Sequence, residues 1–268
     1  MKPTNWNEYL SENNPWTKRL IGLEDFSRTR NIGQIEAEYN RVKYGQLADY
    51  NGDCIEAYKQ EEFKRGGFDD GDDFFISFEE NLFKTKLFMA RSIFYSLITH
   101  TVKKYSSDTL CELGCGYGYN LSYLKNTVSL VYGGEYSKNA VELGKKLNLN
   151  VIPFNYYDSN DYQIIKPSST ILTVHSVEQI PNAECFIEGL SSVKNNIVTV
   201  INIEPSFLPS RHTLVGCLRN RYIELNDYNR NLFSLLKNRN DIEIIHYSED
   251  IFGINPLNSA SLAVWQFK

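Results

Sequence analysis

The feature that most constrains this chain is a glycine-rich segment that directly follows a short apolar run. Residues 109–118 read Thr-Leu-Cys-Glu-Leu-Gly-Cys-Gly-Tyr-Gly, with glycines at positions 114, 116 and 118. Glycine has no Cβ, so such a loop can adopt positive φ and bring its backbone close to a ligand. An apolar strand, a sharp glycine turn and a helix, here expected from residue 119, are typical of the nucleotide-binding edge of an α/β sheet.

A second apolar run strengthens this interpretation. Residues 130–134 lead into Glu135, which lies 21 positions after Gly114. An acid at about 20 residues from the loop is placed to accept hydrogen bonds from ribose hydroxyls. A dinucleotide loop, however, needs Gly or Ala where this chain has Tyr119, and Glu112 puts negative charge where a pyrophosphate would lie. These residues favour a cationic nucleoside ligand and count against a nicotinamide dehydrogenase.

The run Glu-Leu-Gly-Cys-Gly-Tyr-Gly resembles motif I of the class I S-adenosylmethionine-dependent methyltransferases, and Glu135 resembles their ribose-binding acid. The resemblance covers roughly residues 85–268 and implies S-adenosylmethionine as the cofactor. It also implies a cofactor site formed by the loop, the acid, the ends of two later strands and an N-terminal helix. The expected cofactor-binding residues are Glu112, Gly114, Cys115, Gly116, Gly118, Glu135, Tyr136, Asn155, Tyr156, His175, Tyr39, Arg41 and Tyr44.

The rest of the chain alternates strand-like and helix-like segments, which indicates an α/β fold with a mainly parallel sheet. The predicted strands are 109–114, 129–135, 149–154, 169–175, 196–203, 241–247 and 261–267. The predicted helices are 81–105, 119–126, 137–147, 182–193 and 222–239. The resemblance implies a seven-stranded Rossmann-like methyltransferase sheet with helices on both faces, in which the last strand inserts antiparallel between the fifth and sixth. We expect residues 81–268 to form this domain and residues 1–80 to form a mainly helical lid, with helices at 36–47 and 56–65.

Candidate catalytic residues follow the fourth and fifth predicted strands. His175 ends the fourth strand, and its ordinary pKa near 6.5 leaves it largely neutral and able to act as a general base. His212, on the loop after the fifth strand, is its competitor, and Glu178 is a candidate substrate contact. Together with Glu204, these three residues could ligate a divalent metal. The sequence favours no metal, because it lacks the acid-rich set of metal-assisted relatives.

Composition restricts the substrate. The formal net charge of -5 repels a phosphate backbone, so no nucleic-acid partner is expected. The sequence also shows no signal peptide and no membrane span, and its five cysteines have no paired spacing, so we expect a cytoplasmic protein. A homodimer is compatible with the sequence.

The expected reaction is methylation at oxygen or nitrogen of a small polar molecule, such as a sugar, an amino acid or a secondary metabolite. Two alternatives stay open. One is a peptide or protein methyltransferase, in which the N-terminal extension docks a chain segment. The other is a catalytically silent, cofactor-binding regulatory subunit, although the retained glycines, Glu112 and Glu135 count against it.

Overall fold

The computed structural model describes residues 1–268 and contains two β-sheets surrounded by helices. The strands are β1 (Lys2–Thr4), β2 (Asp73–Phe78), β3 (Asn81–Lys86), β4 (Thr109–Leu113), β5 (Leu130–Glu135), β6 (Val151–Pro153), β7 (Ser169–Val174), β8 (Ile197–Pro205), β9 (Ile242–Phe252) and β10 (Ala260–Phe267). The α-helices are α1 (Trp6–Tyr9), α2 (Pro15–Leu20), α3 (Ile32–Ile35), α4 (Gly45–Ala48), α5 (Ile55–Arg65), α6 (Leu87–Tyr105), α7 (Tyr119–Leu124), α8 (Lys138–Lys146), α9 (Glu184–Ser192), α10 (Leu214–Leu225) and α11 (Leu232–Asn238). A π-helix, Glu36–Tyr44, connects α3 and α4.

The larger sheet has seven strands in the order β6-β5-β4-β7-β8-β10-β9. Strand β10 runs antiparallel to both β8 and β9, whereas β4 pairs in parallel with β5 and β7. The predicted seven-stranded α/β sheet is therefore confirmed, including the antiparallel insertion of the last strand. The carboxyl ends of β4, β5, β6 and β7 lie side by side at one edge, where ligands bind in open α/β sheets.

Apolar side chains cover both faces of this sheet. Successive strand residues point to opposite faces, so Leu110 joins a core cluster with α6, whereas its neighbour Cys111 joins a second cluster with α9. The two clusters contain 23 and 21 buried residues, which makes them comparable in size. Helices therefore pack on both faces, as the sequence predicts.

One predicted helix begins later than expected. Residues 81–86 form β3, which pairs with β2 in an antiparallel hairpin and with β1 on its other side, and the helix covers only Leu87–Tyr105. Leu82 and Phe83 fit the helical spacing of α6, but the aromatic strand Asp73–Phe78 provides a better partner for them. The expected boundary between residues 80 and 81 falls at the turn of this hairpin.

A second predicted helix is broken. Residues 222–239 form the end of α10 and all of α11, separated at 226–231. Asp227 adopts a positive φ of 51°, and Asn229 accepts hydrogen bonds from the backbone N–H groups of Asn231 and Leu232. Asn and Asp side chains compete with helical hydrogen bonds in this way, so the run from Asn226 to Asn231 favours a turn over a continuous helix.

The N-terminal 80 residues combine the expected helices with the small sheet that the sequence did not predict. Backbone hydrogen bonds between Ser77 and Gly253 attach this sheet to the connection that follows β9. The π-helix between α3 and α4 contacts the carboxyl edge of the large sheet, because Asn40 bonds to Ser137 after β5. None of the helices combines the length and the apolar character needed to cross a bilayer.

Candidate functional site

A cavity of about 360 Å³ opens at the carboxyl edge of β4 to β7, beneath the N-terminal segment. It brings together most of the residues predicted from the sequence. The predicted residues that line it are Tyr39, Tyr44, Glu112, Gly114, Cys115, Gly116, Glu135, Tyr136, Asn155, Tyr156, His175 and Glu178. Three predicted residues, Arg41, Gly118 and His212, lie outside this lining.

The glycine loop has the conformation that its sequence requires. Gly114, Gly116 and Gly118 have φ values of 75°, 56° and 88°. A Cβ on Gly114 would lie 1.6 Å from the Ser176 hydroxyl oxygen, so the loop approaches the turn after β7 too closely for a side chain. Gly118 caps α7 and packs towards Leu149, which makes its role structural.

Glu135 at the end of β5 organises the loop. Its carboxylate accepts hydrogen bonds from the backbone N–H of Gly116 (2.8 Å) and of Ser137 (2.8 Å), and its side chain is almost fully buried. Burial raises the pKa of Glu135 above its ordinary value, and these two donors oppose the shift. A carboxylate has about four lone-pair positions, so two remain for hydroxyl donors such as those of a ribose.

Glu112 differs from Glu135, because only one of its two carboxylate oxygens accepts a hydrogen bond. Asn120 donates to Oε1 at 2.6 Å, whereas the buried Oε2 has no partner. Burial raises the pKa of Glu112 to about 8, and the negative charges of Glu135 and Glu204 add to this shift. Glu112 lines the cavity, and its free oxygen has no partner. A cation beside this oxygen would stabilise the ionised form of the carboxyl.

The segment after β6 closes another side of the cavity. Tyr156 donates its hydroxyl to the backbone carbonyl of Leu113 at 2.8 Å and lies 2.8 Å from the Ser176 hydroxyl. Asn155 accepts a hydrogen bond from the Tyr157 backbone N–H. Tyr156 thus ties the ends of β4, β6 and β7 together, a structural task that the sequence did not indicate.

His175 follows β7 in a left-handed backbone conformation, with φ of 48°. Its Nδ1 lies 3.0 Å from Glu178 Oε2, and its buried Nε2 has no partner. Burial alone would lower the pKa of His175, but the negative charges of Glu178 and Glu204 raise it above the ordinary value. With Glu178 Oε2 as the acceptor of this hydrogen bond, the proton of the neutral ring lies on Nδ1 and Nε2 is a free base.

Glu204, at the end of β8, holds the turn that carries this histidine. Its buried carboxylate accepts hydrogen bonds from the backbone N–H groups of Ser176, Val177 and Glu178, at 3.0 to 3.2 Å. Burial raises the pKa of Glu204 to about 7, with Glu178 adding to the effect. Glu204 is therefore committed to backbone donors and is not available as a metal ligand.

His212 lies on the loop before α10, exposed to solvent, and the structure does not bring it to His175. Arg211 beside it is held by Asp250 and Ser206. The considered metal set of His175, Glu178, Glu204 and His212 is thus not assembled, and no other group of three or more metal-binding side chains occurs in residues 1–268.

The lid contributes to the cavity through the π-helix. Its hydrogen bonds link residues five apart, so Tyr39 and Tyr44 share one face and both line the cavity, whereas Arg41 is exposed. Asn40 attaches the helix to the end of β5, because its Oδ1 accepts from the Ser137 hydroxyl at 2.8 Å. Arg41 therefore does not line the cavity, and its contact with a cofactor stays a prediction.

The sequence analysis missed a charged group inside the lid. Glu62 lies 2.9 Å from both Lys43 and Lys59 and accepts a hydrogen bond from the Tyr117 hydroxyl. Burial would raise the pKa of Glu62, but the two lysines hold it well below the ordinary range. All three charged residues line the cavity next to the glycine loop, with one net positive charge. No sequence motif marks these three residues. The one signal is that Lys43 lies next to Tyr44 and four residues after Tyr39, which were both predicted to line the site.

Comparison with solved structures identifies the architecture. A magnesium protoporphyrin IX methyltransferase from Synechocystis, solved with bound SAH, superposes with a TM-score of 0.51 over 89% of this chain and 100% of that chain, at 12% identity. The fold is that of the class I S-adenosylmethionine-dependent methyltransferases. A SAM-dependent methyltransferase from Bacteroides fragilis, in complex with S-adenosyl-L-homocysteine, gives a TM-score of 0.50 at 13% identity, over 85% of this chain and 96% of that chain. One from Anabaena variabilis gives 0.50 at 11% identity, over 91% and 99%. Neither protein-family models nor curated proteins match the chain.

Proposed function

We propose that the protein is an S-adenosylmethionine-dependent methyltransferase that acts on oxygen or nitrogen of a small polar molecule. The observation that carries this proposal is the meeting of three features in one cavity: the glycine loop with Glu135, the unpartnered oxygen of Glu112, and the free Nε2 of His175. In the similar fold of the Bacteroides fragilis and Synechocystis enzymes, the demethylated cofactor is bound.

The residues present fit this cofactor. Gly114 and Gly116 let the hydroxyls of Ser176 and Tyr44 approach the loop backbone where both glycines line the cavity, and Glu135 retains lone pairs for the ribose hydroxyls. Glu112 offers its free oxygen to the positive end of the molecule, and Lys43 and Lys59 lie near the loop, where a carboxylate can bind. When bound, the cofactor would supply an activated methyl group to an oxygen or nitrogen nucleophile, with S-adenosylhomocysteine as the leaving group.

His175 takes the proton in this proposal. Glu178 orients the ring and stabilises the imidazolium that forms, while the donors around Glu204 keep the turn in place. The lid, with Tyr39 and Tyr44, excludes water from the reacting groups. The volume of this cavity, about 360 Å³, favours a small molecule over a peptide or protein chain, which would need a longer groove.

Titration calorimetry with S-adenosylmethionine and with NAD tests the cofactor. We expect binding of S-adenosylmethionine alone, with loss of affinity in Glu135→Ala and unchanged affinity in the exposed-site control Glu142→Gln. Formation of S-adenosylhomocysteine from a panel of sugars, amino acids and amines then tests the activity. If the protein binds the cofactor but methylates no compound of this panel, the result would favour the alternative of a catalytically silent regulatory subunit.

A further inference from the structure

Four polar side chains meet at the side of the cavity formed by the turn after β7. Glu178 lies at their centre. Its Oε2 is 3.0 Å from His175 Nδ1 and accepts a hydrogen bond from Asn258 Nδ2 at 3.0 Å, while its Oε1 accepts from Gln179 Nε2 at 2.7 Å. Asn258 comes from the short 3₁₀ helix Pro256–Asn258 before β10, so two distant parts of the chain build this group.

The central carboxylate fixes the orientation of its neighbours. An ionised carboxylate accepts hydrogen bonds and cannot donate them, so the amide nitrogens of Gln179 and Asn258 must face it. The amide oxygens must then point away. In the neutral His175 ring, Nε2 likewise points away from Glu178. We call Nε2 of His175, Oε1 of Gln179 and Oδ1 of Asn258 the acceptor cluster.

None of the three atoms of the acceptor cluster has a hydrogen-bond partner, and all three are shielded from bulk solvent. Gln179 and Asn258 are 8% and 9% exposed, and both line the cavity. A buried acceptor without a donor destabilises a protein by about 1 to 3 kcal/mol. Three such acceptors around one carboxylate are therefore a costly arrangement that a donor-bearing ligand would relieve.

The charges around the acceptor cluster favour hydroxyl and amino groups over anionic groups. Glu178 is itself a carboxylate, and Glu204 lies directly behind the turn. No lysine or arginine donates to the residues of the acceptor cluster, because Lys43 and Lys59 are paired with Glu62 beside the glycine loop. A carboxylate or phosphate group at this place would meet acceptors and negative charge, whereas a hydroxyl or amino group would meet partners.

We infer that the acceptor cluster binds the substrate of the proposed methyltransferase through at least two neighbouring hydroxyl or amino donors, and that it rejects anionic groups. This inference rests on the proposed function. It narrows the substrate to polyhydroxylated or amine-bearing molecules that present these donors next to the general base.

Three two-carbon probes test the inference: ethylene glycol, ethanolamine and glycolate, which share a skeleton and differ in charge. Crystals of the protein with bound S-adenosylhomocysteine are soaked in each probe at equal concentration. We expect ethylene glycol and ethanolamine at hydrogen-bonding distance from the acceptor cluster, and no glycolate there. Whichever of ethylene glycol and ethanolamine has the higher occupancy at the cluster indicates whether the substrate is a polyol or an amine. Glycolate bound through its carboxylate, or neither donor probe at the cluster, would overturn the inference.

A variant series measures the same contact in solution by ligand-observed NMR on the complex with S-adenosylhomocysteine. Asn258→Leu removes one acceptor of the cluster. It should lower the affinity for the tighter-binding donor probe about 5- to 10-fold, as expected for one lost hydrogen bond. Gln179→Leu carries the same expectation if the first variant does not fold, and Asn160→Leu on the exposed surface is the matched control. Equal probe affinity in a folded variant would contradict the inference. Failure of the wild type to bind S-adenosylhomocysteine would instead refute the proposed function.

Discussion

Binding of S-adenosylmethionine should release protons, and Glu112 should be their source. Burial raises the pKa of this carboxyl to about 8, and Asn120 donates to only one of its oxygens. At pH 7 a group with that pKa is roughly nine-tenths protonated. A cation beside Oε2 favours the ionised form, so each bound cofactor should release about 0.9 proton from Glu112 at pH 7.

The sign of the pH dependence follows from this linkage. The cation-binding form is the ionised one, so the affinity for the cofactor should fall as pH decreases through the raised pKa. Between pH 7 and pH 6 the loss should approach tenfold, because nearly every binding event then requires one proton to leave. Titration calorimetry in phosphate and in Tris, which differ in ionisation enthalpy, gives the number of protons directly.

Glu112→Gln separates this source from other titrating groups. The glutamine keeps an oxygen that can accept from Asn120, but it cannot ionise. The variant should bind about 1.5 to 3 kcal/mol more weakly, as for a lost charged hydrogen bond, and should lack the proton release attributed to Glu112. The contribution of His175 is common to both proteins, and the difference between them reports Glu112 together with Glu135 and Glu204, whose charges act on it. Equal proton numbers for the two proteins would refute the reasoning.

Three further predictions concern the same cavity. Glu135→Gln should weaken cofactor binding by roughly 1.5 to 3 kcal/mol in calorimetry, whereas the exposed Glu142→Gln should not; unchanged affinity in the first would remove Glu135 from the ribose site. Gly116→Val should abolish binding while circular dichroism stays native-like, because a Cβ there would lie 2.6 Å from the hydroxyl of the lid tyrosine; normal binding would place the cofactor elsewhere. His175→Ala should lower turnover roughly 10² to 10⁴ fold with cofactor affinity nearly unchanged, whereas the exposed His212→Ala should retain activity; the reverse result would move the base to the loop. The wild-type rate should rise with pH through the raised pKa of His175, because only the neutral ring accepts a proton.

The glycine-loop side of the cavity was predictable because its signals are local. The glycines, Glu112 and Glu135 lie within 24 residues, and each residue type has a physical reason at its position. The alternation of apolar runs likewise predicted the positions of the seven strands along the chain, and the resemblance to the methyltransferases implied the antiparallel insertion of the last one. His175 was identified from its place at the end of a strand, which the sheet then brought to the common edge.

The remaining parts depend on contacts between distant residues. Nothing in residues 81–86 distinguishes a strand from the first turn of α6 until β2 provides a partner. Asn258 lies 80 positions after Glu178, and a single asparagine in a connection carries no motif. The π-helix changes which residues share a face, and the position carried over from the resemblance could not show that Tyr39 and Tyr44 line the cavity while Arg41 does not.

The division of the acceptor cluster between two segments has a consequence for how such an enzyme diversifies. The glycine loop and Glu135 belong to the first two strands of the large sheet, whereas Asn258 is carried by the short connection between β9 and β10. Under the proposed function, mutations in that connection would change the acceptor cluster and leave β4, β5 and the glycine loop unaltered. Chimeras that differ only at residues 254–258 and keep Gly253, which bonds to Ser77, would test this separation, because the affinity for S-adenosylmethionine should stay constant while the affinity for the donor probes changes.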